Sequence, residues 1–187
     1  MEIVNKEPVI YIICGKARAG KDTISEIIKE YYEKNNKKVL NLQYSSYIKD
    51  YAKKISDWDG SEEKKPRALL QQLGTEIIRF KIDMLFFVKR ICSDIQVYSY
   101  FFDCLTISDA RTKEEVDVPK EKFNKVVAIH VDRPNFDNGL TEEQRKHFTE
   151  IELDDYDKYD YKIINDGDLE QLKEKVEVIL RGIENEY

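Results

Sequence analysis

Residues 9–14 (VIYIIC) form an unbroken apolar run that stops at Gly15, a pattern that predicts a strand buried on both faces. Over residues 23–34 the period changes. Ile24, Ile27, Ile28 and Tyr31 recur three and four apart, the spacing of an amphipathic helix. Residues 38–42 predict a second strand, 46–57 and 66–98 helices, 100–107 a third strand and 126–131 a fourth. A polar stretch over 132–159 leads to a fifth strand at 161–164. A closing helix follows at 168–181, with Leu169, Leu172, Val176 and Ile179 on one face. Strands that are apolar throughout, alternating with helices, predict an α/β fold of three layers, a parallel sheet covered on both sides. Trp58 and the aromatic residues at 86–87 and 100–102 are expected in the core.

Composition narrows this picture to one domain over 1–187, because 7 Gly and 4 Pro among 187 residues mark no linker, and no repeat or low-complexity tract interrupts the chain. Lys+Arg 31 against Asp+Glu 37 gives a net charge of −6, which argues against binding a nucleic acid polymer or an anionic membrane. Any anionic ligand must therefore meet a local cluster of cations. The apolar runs fall short of the ~20 residues that span a bilayer, and Met1-Glu2 opens no signal peptide. Cys14, Cys92 and Cys104 form no CxxC pair and are expected as buried thiols of a cytoplasmic protein.

The strongest chemical signal lies between the first strand and the first helix. Residues 15–23, GKARAGKDT, fit G-x-x-x-x-G-K in the strand-loop-helix setting that a phosphate-binding loop requires. Gly15 and Gly20 leave room for backbone N–H groups to close round a phosphate, Ala19 belongs to the same loop, and the helix behind contributes the positive end of its dipole. Lys21 is placed to reach the β- and γ-phosphates. Asp22 stands where a Ser or Thr usually follows the Lys, with Thr23 next, so either oxygen can serve Mg2+.

A second constellation follows the third strand. In Ser108-Asp109-Ala110-Arg111, the carboxylate of Asp109 suits a metal-bound water and the fork of Arg111 suits a phosphate. The alternative is local: Asp109 caps a helix starting near Lys113, and Arg111 pairs with Glu115. On the acceptor side Ser45, Ser46 and Lys49 follow the second strand, and Arg67, Gln71 and Gly74 fall at i, i+4 and i+7 beside Gln72, Thr75 and Arg79. Gln71 or Gln72 suits a base edge, and Gly74 suits close approach of a ligand or another helix; the alternative is an ordinary solvated helix. Arg133, Arg145, Lys146 and His147 make the segment 132–159 a lid or a solvated loop. Asn165-Asp166-Gly167 is either an adenine contact or a turn that caps the last helix.

Together with LLQQLGTE at 69–76, ISDAR at 107–111, HVDRP at 130–134, HFTE at 147–150 and KIINDGDLEQL at 162–172, the loop makes the chain resemble the bacteriophage deoxynucleoside monophosphate kinases from about residue 9 to 180. A weaker likeness extends to the animal-type phosphomevalonate kinases. The resemblance implies a P-loop NTPase fold of the nucleoside monophosphate kinase type, with a substrate-binding helical region at about 45–98 and a lid at about 132–159. It implies transfer of the γ-phosphoryl group of ATP, with Mg2+, to a phosphate, most simply that of a deoxynucleoside monophosphate. The rivals are phosphomevalonate or dephospho-coenzyme A as acceptor, and a non-catalytic nucleotide-binding regulator. Lys21, Arg111, Asp109 and Arg133 are then the catalytic candidates. Gly15, Ala19, Gly20, Lys21, Asp22, Thr23, Asn165 and Gly167 would hold the nucleotide, and Asp22, Thr23 and Asp109 the metal. Ser46, Lys49, Arg67, Gln71, Gln72, Gly74, Arg79, Arg145, His147 and Glu150 would hold the acceptor. Small nucleotides are the expected partners, and a homodimer is left open.

Overall fold

The computed structural model describes residues 3–184, apart from the side chain of Glu143; Met1 and Glu2, read above for a leader, lie outside them. Five parallel strands stand in the order β2-β3-β1-β4-β5: β1 Val9–Cys14, β2 Val39–Leu42, β3 Cys104–Ala110, β4 Val126–Asp132 and β5 Tyr161–Ile164. Alternate side chains of β1 enter opposite layers. Tyr11 and Ile13 pack under α1 (Lys21–Lys34) and α8 (Leu169–Glu184). Ile10 and Ile12 pack against the other face, with residues of α4 (Phe86–Tyr98) and α5 (Lys113–Lys122). Both faces are covered, which is why the strand is apolar at every position. With β1 central and its neighbours reached by crossovers in opposite directions, the carboxyl end of β1 is the crevice where open α/β sheets bind ligands.

Three expectations change. The helix expected over 66–98 is three pieces: α3 (Arg67–Gln71), a π-helix Gln72–Ile82 and α4. The break falls at Asp83, an extended residue whose carboxylate accepts the Leu85 N–H at 3.0 Å and the Lys89 ammonium at 2.6 Å, as a cap does. The third strand starts at Cys104. Tyr100 and Phe101 are exposed in the turn that closes α4, where their N–H groups donate to carbonyls of Val97 and Tyr98. Those two aromatic residues are therefore not core, whereas Trp58 and Phe87 are buried as expected. The strand also runs on through Ser108-Asp109-Ala110, with a register shift opposite Ile12 to Cys14. In α8, Leu169 is exposed and the buried stripe is Leu172, Val176, Leu180 and Ile183. All three cysteines are buried and free, and burial pushes the Cys14 thiol up to about 12.

Candidate active site

The loop between β1 and α1 is built from backbone. Gly15 has φ +145°, and a Cβ there would stand 2.3 Å from the Val131 carbonyl oxygen. Gly20 has φ +110°, and a Cβ there would stand 2.7 Å from Nδ2 of Asn165. Only glycine meets both demands. Asn165 occupies that space because its side-chain amide donates to the Ala19 carbonyl at 2.9 Å, while its own N–H donates to Asp132 at 2.7 Å. The end of β5 is thus laced to the loop. Lys21 lies inside, 8% exposed, and donates to the carbonyls of Gly15 (2.9 Å) and Lys16 (2.8 Å). Burial, and then the charge of Arg111, lowers its ammonium to about 8.

On the far side of α1's first turn, Asp22 accepts the Ser108 hydroxyl at 2.7 Å. Asp109 turns the other way: its two carboxylate oxygens accept the N–H groups of Tyr44 and Ser45, both at 2.9 Å. It therefore caps α2 (Tyr44–Ile55) and ties that helix to the end of β3. The helix after β3 is capped instead by Thr112 and Glu115 in a capping box. The Arg111 guanidinium pairs with the Glu150 carboxylate.

These groups surround an open cleft of about 490 Å3, lined by Arg18, Lys21, Asp22, Gln43, Ser45, Lys49, Lys65, Ser108, Asp109 and Arg111, with Ala17, Ile48, Glu62 and Leu70. Five cationic side chains face three carboxylates here, the reverse of the chain's net charge of −6. A concave site of this sign selects anions.

The segment after β4 folds back over the loop. Lys16 pairs with Asp154 and donates to the Glu150 carbonyl, and Phe148 packs 6.0 Å from Phe80 of the π-helix. Glu150 and Phe148 belong to α7 (Phe148–Ile151), which His147 caps through its ring nitrogen; Arg145 closes the preceding turn, α6 (Glu142–Arg145), onto Asp137. Burial and the charges of Arg111 and Arg79 lower the imidazole of His147. Arg133 lies 3.8 Å over the Phe136 ring, with Nη1 at 3.5 Å from the Arg18 carbonyl. The stem is anchored, since Tyr156 is buried and donates to Asp117 at 2.8 Å.

The family model for deoxynucleotide monophosphate kinase matches residues 31–176, more than half of the chain. The chain belongs to that family. A deoxynucleotide monophosphate kinase of Escherichia phage RB69 is 34% identical over 116 residues, 62% of this chain and 44% of the relative. The enzyme of that name from Enterobacteria phage T4 is 29% identical over 164 residues, 87% of this chain and 61% of the relative. The chain thus spans less than two thirds of either relative's length. Among solved structures, an APS kinase of Mycobacterium tuberculosis in complex with AMPPNP and APS aligns with TM-score 0.53 at 10% identity, over 94% of this chain and 98% of that one. The likeness is one of fold, the α/β fold of the P-loop kinases.

Within this deoxynucleotide monophosphate kinase fold, the expected residues divide. Lys21, Asp22, Lys49, Asp109 and Arg111 meet at the cleft, with Ala17 and Arg18 of the loop and with Ser45. Others are not brought there. Arg67 is exposed and pairs with Glu62 at 2.6 Å, and Gln71 and Gln72 are exposed outside the lining. The spacing that grouped them assumed an α-helix, and the wider π turn begins at Gln72. Gly74 faces α2, where a Cβ would stand 2.8 Å from Cδ1 of Ile48, so a helix and not a ligand explains it. Arg79 is buried in an ion pair with Glu115. Ser46 is exposed and donates to the Gln43 carbonyl, leaving Ser45 on the cleft. Thr23 is exposed beside Asp22, outside the lining. Gly167 precedes a reciprocal cap in which Asp168 accepts the Gln171 N–H at 2.9 Å and Gln171 accepts that of Asp168 at 3.2 Å. Sequence reasoning missed Arg18, Gln43 and Lys65, which no spacing distinguishes. Glu115, which the local alternative paired with the Arg111 side chain, holds the Arg111 amide instead, and the T-x-x-E string at 112–115 was a readable signal for that cap.

Proposed function

We propose that the chain transfers the γ-phosphoryl group of ATP, with Mg2+, to the 5′-phosphate of a deoxynucleoside monophosphate. One observation carries this reading: a single cleft holds cations on two separate walls, Arg18, Lys21 and Arg111 on one and Lys49 and Lys65 on the other. Two anionic substrates need that division, and one bound nucleotide does not. The family's name and the AMPPNP and APS bound together by the APS kinase point the same way.

The loop amides and Lys21 would hold the β- and γ-phosphates, and Arg111 would neutralise charge spread over the transferring group. Lys49, with Ser45 beside it, would hold the acceptor phosphate. The lid, its moving part confined to about 133–155 by the Tyr156 anchor, would bring Arg133, Arg145 and His147 over both and exclude water. Glu150 would leave Arg111 as the phosphate arrives. The acceptor phosphate is ionised at neutral pH, so no general base is required. The donor set fits Mg2+: among the described residues no group of three or more His, Cys, Asp or Glu side chains gathers to cage a metal, and the cleft offers Asp22 beside the Ser108 hydroxyl. One carboxylate completed by phosphate oxygens and water is how Mg2+ is usually held, so Asp22 would hold the ion and the ion would supply positive charge against the phosphates. Asn165 and Gly167 would border the adenine, Asn165 through the loop that it laces. Among the described residues no helix is long and apolar enough to cross a membrane, and three buried thiols suit the cytoplasm.

The test is ADP release over a panel of deoxynucleoside and ribonucleoside monophosphates, phosphomevalonate and dephospho-coenzyme A, for the parent and for Arg111→Lys. Turnover is expected with at least one deoxynucleoside monophosphate, and the Lys variant, which keeps charge and loses the fork, should lose about 10³-fold in kcat. Preference for phosphomevalonate or dephospho-coenzyme A would overturn the substrate assignment.

A further inference from the structure

Glu115 is 1% exposed, yet it carries a carboxylate into the space between the sheet and the π-helix. Its Oε2 accepts the N–H of Arg111 at 2.6 Å and that of Thr112 at 3.2 Å, and its Oε1 pairs with the guanidinium of Arg79, itself 8% exposed. The Arg79 guanidinium also lies 5.2 Å from the Phe87 ring. A capping box needs none of this: a surface Glu satisfies the same amides without leaving water. Taking both ions inside costs desolvation that their attraction offsets only in good geometry, so the pair is a poor device for stability alone.

Its placement supplies another reason. The amide that Glu115 holds belongs to Arg111, the residue whose side chain reaches the cleft. The Arg79 that holds Glu115 belongs to the π-helix, which packs through Gly74 on Ile48 in the acceptor wall. We infer that the buried Arg79–Glu115 pair is a brace that sets the backbone of Arg111 against the acceptor wall, making Glu115 and Arg79 positioning residues for phosphoryl transfer. The inference rests on the role proposed above for Arg111.

The double variant Arg79→Met with Glu115→Met replaces the pair by apolar chains of similar length, a change that is often neutral or stabilising for a buried pair. It should still fold cooperatively, at a melting temperature lowered by the two amides that it orphans, and lose hydrogen-exchange protection at the Arg111 and Thr112 amides. Its kcat should fall about 10²-fold, the cost of a small misplacement, while KM for ATP stays within about twofold. Glu115→Asp draws the carboxylate back by one carbon and should show the same division between kcat and KM at about a tenfold loss, so the idea stays testable if the double variant does not fold. A folded variant with parental kcat overturns the brace and leaves the phosphoryl-transfer reading standing. No transfer by the parent on any acceptor overturns that reading and the brace with it, so the parent control tells the two failures apart.

Discussion

The two walls of the cleft are made differently. The side proposed for the ATP donor rests on main chain held in conformations that few residues adopt: Gly15 and Gly20 at positive φ, with Asn165 locked on the Ala19 carbonyl. The side proposed for the acceptor is side chains on helices, Ser45 and Lys49 on α2 and Leu70 on α3, oriented by a cap from Asp109 and by a helix whose turn widens at Gln72. The first kind of wall is written in glycine spacing. The second depends on helix pitch and on packing partners far away in the chain.

The largest effect that tests this contrast is at Lys21. Lys21→Ala should lower kcat/KM by more than about 10³-fold, with the circular dichroism of the parent. Its side chain is buried and not exposed at the loop mouth, and that burial adds a pH signature. Lys21 in the folded protein loses its proton near 8, below the ordinary 10.5, so the unfolded chain binds more protons between those values and stability rises with pH across them. Phosphate binding favours the charged form. ATP affinity should therefore fall as pH is raised above about 8, with proton uptake on binding that calorimetry detects and that Lys21→Ala abolishes.

Next come the glycines, one in the loop and one packed behind α2. Gly15→Ala sets a Cβ against a backbone oxygen at positive φ and should cost about 2 kcal/mol or more in urea unfolding. Gly74→Ala meets only the flexible end of Ile48 and gains helix propensity, so it should change stability by less than about 1 kcal/mol. Equal costs would break the comparison. Acceptor binding gives a smaller effect. Lys49→Met should raise KM for the acceptor about tenfold, equivalent to 1.4 kcal/mol, while Gln71→Leu with Gln72→Leu should leave base preference unchanged. Loss of preference in that pair would return the two amides to the acceptor site. Smallest is Glu150→Gln, which frees Arg111 from a partly exposed ion pair worth about 1 kcal/mol and should tighten ATP binding by about fivefold in titration calorimetry.

The strand runs and the α1 and α8 periodicities were readable in the chain because a layer buried on two sides demands continuous apolar sequence and a helix covering it demands a stripe. Boundaries were less so. Tyr100 and Phe101 are as apolar as a strand, and only the turn closing α4 exposes them. Asp109 and Arg111 were legible as residue types at a strand end, but not their partners. Tyr44 and Ser45 lie 65 and 64 residues from Asp109, and Glu150 lies 39 from Arg111.

By itself the sequence determined the three-layer α/β fold and the phosphate-binding loop, since a buried strand, two glycines and a following helix are local demands met within residues 9–34. Only the tertiary structure decided which carboxylate does what. Asp22 turns to Ser108, Asp109 to the start of α2, Glu115 inward to Arg79 and Glu150 to Arg111. A carboxylate can accept an amide, an ammonium or a guanidinium equally well, so its role follows from whichever donor the fold brings within reach, and that donor's distance along the chain is unconstrained by local pattern.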